Sequence, residues 1–312
     1  MAKKHKSVND PGLGVKYREN TKRIINKDGS FNVVRKGFRF NPRNTYQALI
    51  TMSWSRFFLL MFAFLFAINC IFAGVYTMIG VEHLSGALHE SLWSDFNNSL
   101  FFSFQTFTTV GYGRIAPNGT LMSFIAAIES IIGLMCFALI TGLLYGRFSK
   151  PSARLLYSDK LLIAPYKDLT SLQFRVANRR RSTLMEMEAT VMLMTIEMTD
   201  GQFNRNYQPL KIETPNILFF PLNWTIVHPI DEKSPLFGKS KDDLMRMNAE
   251  VMILIKGFDE TFSQVVHSRF SYLADEIEWG ARFKPAYFTS NTGDIVFNIH
   301  GVHEYEKVVL DS

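Results

Sequence analysis

Cysteine is almost missing from this chain: of 312 residues only Cys70 and Cys136 are cysteine, and both lie inside apolar stretches. A disulfide framework is excluded, and with it any dependence on an oxidising compartment. Both thiols read as small buried apolar groups. No apolar segment carries a run of regularly spaced arginines, so a voltage sensor is not expected. No glycine-rich phosphate loop follows residue 155, which argues against a nucleotide-binding regulatory domain. His228, His267, His300 and His303 show no metal-ligand spacing, and no nucleophile–base arrangement is visible. Neither an enzyme nor a cofactor is expected.

Acidic residues are scarce at the start. Only Asp10, Glu19 and Asp28 oppose the twelve Lys and Arg between Lys3 and Arg43. Nucleic-acid binding is one reading of such a run. A cytoplasmic tail over residues 1–40 is the better one, because Lys and Arg are retained on the inner side of a membrane and attract anionic lipid. No nucleic-acid partner is expected. Nor is a signal peptide, since the apolar region starts roughly 50 residues in.

Charge then disappears altogether from Phe57 to Val81. A helix of roughly 25 residues is about 38 Å long, enough to cross a hydrocarbon core of about 30 Å with some tilt. Leu121–Tyr145 repeats the pattern with a single charge, Glu129. Both stretches must be helical, because backbone polar groups in lipid need partners within their own segment. Arg56 precedes the first, and Arg147, Lys150 and Arg154 follow the second. The connection holds Glu82, Glu90 and Asp95 against Arg114. A multi-pass protein of the cell (inner) membrane is expected, with both termini cytoplasmic and the connection outside. The membrane domain is set at 41–150, with spans over 54–80 and 119–150. Before the first span, Tyr46, Leu49, Ile50 and Trp54 recur at helical spacing. An amphipathic helix over 41–53 in the inner interface fits, the alternative being an N-terminal extension of the span.

Between the spans lies an aromatic stretch too short to cross a bilayer, ending in Thr109-Val110-Gly111-Tyr112-Gly113. A re-entrant pore helix followed by a filter, over 96–113, suits it. Non-helical backbone at that depth is tolerated only where it lines a water-filled path. Glycine takes backbone angles that other residues avoid, so successive carbonyls can turn towards one axis. Carbonyl rings replace the hydration oxygens of a potassium ion, and the pentapeptide matches the potassium-filter pattern. One chain supplies one strand and a ring needs four, so a homotetramer around permeant K+ is expected. Gln105 and Glu129 read as support behind the filter. For Glu129, direct contact with permeating ions is the alternative.

Further along the second span, Gly133 could permit bending, while Gly142 and Gly146 could allow close helix approach. Tyr145 is large enough to narrow a four-helix bundle, and an interfacial anchor is its other reading. After Pro151 the texture changes. Leu184–Met198, Ile217–Phe220, Thr225–His228, Val251–Ile255 and Ile295–Ile299 read as strands, separated by turn residues. An all-β sandwich over 151–312 follows.

Three stretches carry a resemblance to a known family: Val227–Gly238, Ser271–Gly280, and Gly142–Arg154 with its Lys150-Pro151-Ser152-Ala153-Arg154 ending. On them the chain resembles the inward-rectifier potassium channel family over about residues 41 to 305. Without cysteines flanking the pore loop it looks like the prokaryotic type. The resemblance implies a two-helix pore on a cytoplasmic immunoglobulin-like β domain. It implies an inner gate at Tyr145, a vestibule lined by Glu186 with Glu188, and a second constriction in the loop Glu260–Arg269. It also implies a lipid-sensing linker at Arg147, Lys150 and Arg154. Ser152 and Ala153 stand where eukaryotic members carry further basic residues, so general anionic-lipid sensitivity is expected rather than specific phosphoinositide activation. Phe137 occupies the position that controls rectification, and it is not an acid. Weak rectification is expected.

Overall fold

The computed structural model describes residues 10–17, 23–34, 36–37, 42–151, 153–180, 183–199 and 201–310. Much of the basic run, including Lys3, Lys4, Lys6, Arg18, Lys22, Arg35 and Arg39, lies outside them, as does Ser152. The chain divides into two compact units, Gly37–Lys150 and a second formed by Met1–Lys36 together with Pro151–Ser312.

The first unit holds four helices: α1 Pro42–Thr51, α2 Trp54–Ile79, α3 Leu92–Phe107 and α4 Thr120–Phe148. Of these α2 and α4 are long and apolar enough to cross a membrane. A break separates α1 from α2, where Ser53 takes extended backbone at φ −59° and ψ 151°. Helix α3 begins ahead of the aromatic stretch that marks it in the sequence. Ser91 caps it by accepting the Ser94 amide hydrogen at 3.2 Å, and Asp95 sits in the first turn, where a negative charge favours the helix dipole. Tyr76 of α2, Phe102 of α3 and Met122 and Ala126 of α4 share one buried cluster. At Gly133 the α4 backbone touches the end of α3: a Cβ there would collide with the Phe107 carbonyl. Gly133 is a close-approach site.

The second unit is a sandwich of two sheets. One sheet runs in the order Lys16–Tyr17, Gln202–Leu210, Leu184–Thr199, Glu250–Asp259, Gln264–Leu273, with Asn216–Phe219 also paired to Leu184–Thr199. The other runs Asn223–Ile230, Leu169–Asn178, Leu161–Tyr166, Ile277–Trp279, with Leu155–Tyr157 added to Leu169–Asn178. Alternate residues of each sheet face the shared core: Val191, Leu193, Val251 and Ile253 from one side, Leu172, Phe174 and Ile226 from the other.

The N-terminal segment differs from the tail expected of it. Lys16 and Tyr17 pair with Asn204 and Phe203 at the edge of the first sheet. Ile24 and Ile25 pack into a cluster with Met194, Ile196, Tyr207 and Met252. The buried Glu250 carboxylate accepts the amide hydrogens of Ile24 and Ile25 at 3.0–3.2 Å. Arg23 and Lys27 both pair with Glu276. Two isoleucines, hidden in a basic stretch, make this segment part of the sandwich.

Candidate functional site

Helix α3 ends at Phe107, and the chain then adopts an unusual backbone. Thr109, Gly111 and Gly113 have φ of 59°, 55° and 78°, whereas Val110 and Tyr112 between them are not left-handed. In an extended strand successive carbonyls point to opposite sides. Alternating the sign of φ brings them to one side, which is what a row of ion-coordinating oxygens requires. Thr109 is the costly member, since a residue with a β-branched side chain rarely takes a positive φ. Backbone bonds hold the turn: Thr108 N–H to Phe104 O at 3.0 Å, Thr109 N–H to Thr106 O at 3.1 Å, and Gly111 N–H to Gln105 O at 3.3 Å. Gln105 thus reaches the Thr109–Gly113 segment through its carbonyl. Its side-chain Oε1 is buried and has no hydrogen-bond partner among the described residues.

Behind this segment three helices converge on one carboxyl group. Glu129 on α4 is fully buried. Tyr76 on α2 donates to its Oε2, and Ser103 on α3 bonds its Oε1. Ser103 Oγ is also 3.0 Å from Asn69 Oδ1 on α2, whose amide donates to Leu65 O at 2.7 Å. Tyr76, Ser103 and Asn69 carry no sequence signal as site residues. A small clasp also joins the loop after α2 to the loop before α4. Leu84 and Ser85 pair with Pro117 and Ala116, and Asn118 N–H donates to His83 O at 2.8 Å. Gly86 lies so close to Arg114 O, just past Gly113, that no side chain would fit.

Phe137, Thr141 and Tyr145 are four residues apart on α4 and all exposed in the single chain. A spacing of four places them along one strip. Of the expected lipid contacts, Lys150 and Arg154 are exposed. Arg147 is not. Its side chain is buried, donates to Leu49 O and to Met52 O, and lies 4.4 Å from the ring centroids of both Trp54 and Phe57. Only its Nε lacks a partner.

In the sandwich the three expected acids gather at one end of the first sheet, where Leu184 pairs with Asp259 and Glu188 with Lys256. Glu186 sits at a bulge with φ 49° and is exposed. Glu188 faces Lys256 Nζ at 3.5 Å, a cation the sequence reading did not single out. Glu260 follows the strand end, its amide 3.4 Å from Thr183 O. The segment Glu260–Arg269 is a turn followed by the first six residues of the strand Gln264–Leu273. His228 is a satisfied core histidine: Nδ1 is 2.6 Å from Lys211 O and Nε2 is 2.8 Å from Ser234 Oγ. Among the described residues no group of His, Cys, Asp and Glu has the arrangement of a metal site.

Residues 155–312 match the family described as inward rectifier potassium channel C-terminal domain, and residues 63–150 the family described as ion channel. The chain is 31% identical over 294 residues to the inward rectifier potassium channel Kirbac3.1 of Paramagnetospirillum magnetotacticum, spanning 93% of this chain and 98% of that one. It is 28% identical over 295 residues to the ATP-sensitive inward rectifier potassium channel 12 of Gallus gallus, spanning 85% of this chain and 67% of that one.

Proposed function

We propose, from the premise that this chain belongs to the inward rectifier potassium channel family, that four copies surround one potassium path whose selective element is Thr109–Gly113. The observation that carries this is the alternation of φ at Thr109, Gly111 and Gly113, in a segment tied to α3 and backed by α4. Carbonyls so turned, four to a ring, can replace the water of a potassium ion. Gln105 holds the segment by its backbone, and Glu129 braces it from behind.

Phe137 and Tyr145 face the inner part of the path, with Tyr145 as the gate. The spans lie in the cell's inner membrane, and the sandwich and both termini lie in the cytoplasm, as the positive flanks of α2 and α4 favour. Glu186, Glu188 and Glu260 line the continuation of the path. Rectification is weak, because Phe137 brings no charge and Lys256 offsets Glu188. Exposed Lys150 and Arg154 make the channel sensitive to anionic lipid.

Purified protein in liposomes tests the reading. Rubidium uptake that excludes sodium and is blocked by barium is expected. A sealed liposome, or flux without preference for rubidium, would overturn it.

A further inference from the structure

The membrane unit holds two tryptophans, Trp54 and Trp93, and the chain's other two lie in strands of the sandwich. Trp54 opens α2 beside Arg56. Trp93 is on neither span: it is the second residue of α3. We infer that Leu88, Leu92 and Trp93 form an anchor in the outer lipid interface, so that the helix ending at the filter is hung directly from the outer leaflet. The inference rests on the reading of α3 as a re-entrant helix with the filter at Thr109–Gly113.

Depth is the first ground. Helix α3 climbs α4 in ordered steps: Phe107 meets Gly133, Ser103 bonds Glu129, and Phe102 packs with Met122 and Ala126. Gly133 is thirteen residues past Thr120, about 20 Å along α4, and the 16 residues of α3 span about 24 Å. The start of α3 therefore reaches the level of the first turns of α4, where a span leaves the hydrocarbon. Val81 and Leu84, just beyond the end of α2, pack with the same Phe102 and give the same level.

The surface at that level is the second ground. Leu92 and Trp93 are 81% and 72% exposed, and the Trp93 ring stacks on Phe96 at 6.3 Å. Exposed Leu88 joins them, with His89, Glu90, Ser91 and Ser94 alongside in the chain. An amphipathic ring among apolar and polar neighbours is the composition of an interfacial belt. Neither span supplies one at this end. Tyr76 of α2 is buried on Glu129, and Thr120–Ala127 of α4 contains no Trp or Tyr. Covering Trp93 with a neighbouring copy would leave the helices without an outer aromatic residue to set their depth.

The patch is also firmly mounted. Asn98 Nδ2 and Ser94 Oγ donate to Leu88 O at 2.9 and 3.4 Å, and His89 Nδ1 lies 2.8 Å from Asp95. The loop and the first turns of α3 thus move as one piece. Mismatch between a protein and its bilayer acts on tilt and on interfacial anchors. Here a change in bilayer thickness reaches Phe107 through a single helix.

The test uses the full chain in phosphatidylcholine–phosphatidylglycerol vesicles. With Cys70→Ala and Cys136→Ala in place, a spin label on Leu92→Cys is probed with oxygen and with a water-soluble nickel chelate. Access by both agents, as at the boundary of headgroups and acyl chains, is expected. A label open to the chelate alone stands in water, and one closed to both is covered by a neighbouring copy; either overturns the inference. Rubidium flux is then measured over a series of acyl-chain lengths. Trp93→Gln should lower flux at the parent's optimal length by about threefold or more, the scale of coupling mutations. Trp93→Tyr keeps an amphipathic ring and should stay near the parent. Parental flux in Trp93→Gln at every length counts against the anchor, as does Trp93→Tyr as impaired as Trp93→Gln, which marks packing. Absence of rubidium flux in the parent chain would instead strike the channel reading and leave the label result standing.

Discussion

Tyr76 on α2 donates its hydroxyl to Glu129 Oε2 on α4 at 2.5 Å, and both side chains are fully buried. With Ser103 of α3 on the other oxygen, one carboxyl group ties together α2, α4 and the helix that ends at Phe107. Leaving a buried acceptor without its donor costs about 1–3 kcal/mol. Tyr76→Phe should lower the thermal midpoint of the purified protein and weaken its preference for rubidium over sodium. Glu129→Gln keeps the shape and one acceptor, so the tetramer should survive with most of its conductance. An intact tetramer that has lost its conductance would mean that Glu129 meets the ions.

Phe137 and Lys256 make a prediction about block. Polyamines plug a channel when negative charge lines its path, and in the proposed tetramer each substitution acts four times. Internal spermine should produce little voltage-dependent block of the parent channel. Phe137→Asp should make the block steep, and Lys256→Ala, which frees Glu188, should strengthen it to a smaller degree. Paired recordings with and without spermine decide this. Steep block of the parent channel would contradict weak rectification.

His228 makes a prediction about pH. Burial pushes its pKa below the ordinary 6.5, with the Lys211 carbonyl and Asp231 opposing in part. The folded chain therefore favours neutral imidazole, and below about pH 6.5 the unfolded chain binds the extra proton. Stability is full above that pH and falls as pH drops towards the folded pKa, by at most about 1.4 kcal/mol per unit. Thermal unfolding of the channel across this range should show the fall, and His228→Gln should reduce it. An equal fall in both proteins would rule out His228 as the group responsible.

Glu250 fixes the N-terminal segment through the amides of Ile24 and Ile25. Glu250→Ala leaves two buried donors without an acceptor, a cost of about 1–3 kcal/mol each when they stay buried. The segment should detach rather than bear it. Amide hydrogen exchange at Ile24 and Ile25 should then accelerate while exchange in the strand Leu169–Asn178 stays slow. Unchanged protection at the isoleucines would show that the apolar contacts alone hold them.

The parts of this molecule legible in sequence are those with a strong local pattern. Two apolar stretches, one uncharged and one charged only at Glu129, announced α2 and α4, and the two glycines of a pentapeptide announced the unusual backbone after α3. What escaped depends on pairs far apart in the chain. Nothing near Tyr76 or Ser103 points to Glu129, and nothing near Ile24 points to Glu250. The burial of Arg147 escaped for a related reason: composition groups it with Lys150 and Arg154, whereas its bonds to Leu49 and Met52 set it apart. The start of α3 escaped because its cap, Ser91, precedes the apolar residues by which a helix is recognised.

The pairing of Lys16–Tyr17 with Phe203–Asn204 bears on the order in which the protein is made. A ribosome delivers this strand before either membrane helix, and its partner only after both. The sandwich is a discontinuous domain with the pore inserted into it, so the helices enter the bilayer while the edge of the Gln202–Leu210 strand is still uncovered. Closing so long a loop costs little more than closing a short one, since the penalty grows only with the logarithm of length. Lys16 and Tyr17 thus wait for partners made long after them, and a nascent chain can dock them only once the strand Gln202–Leu210 has emerged.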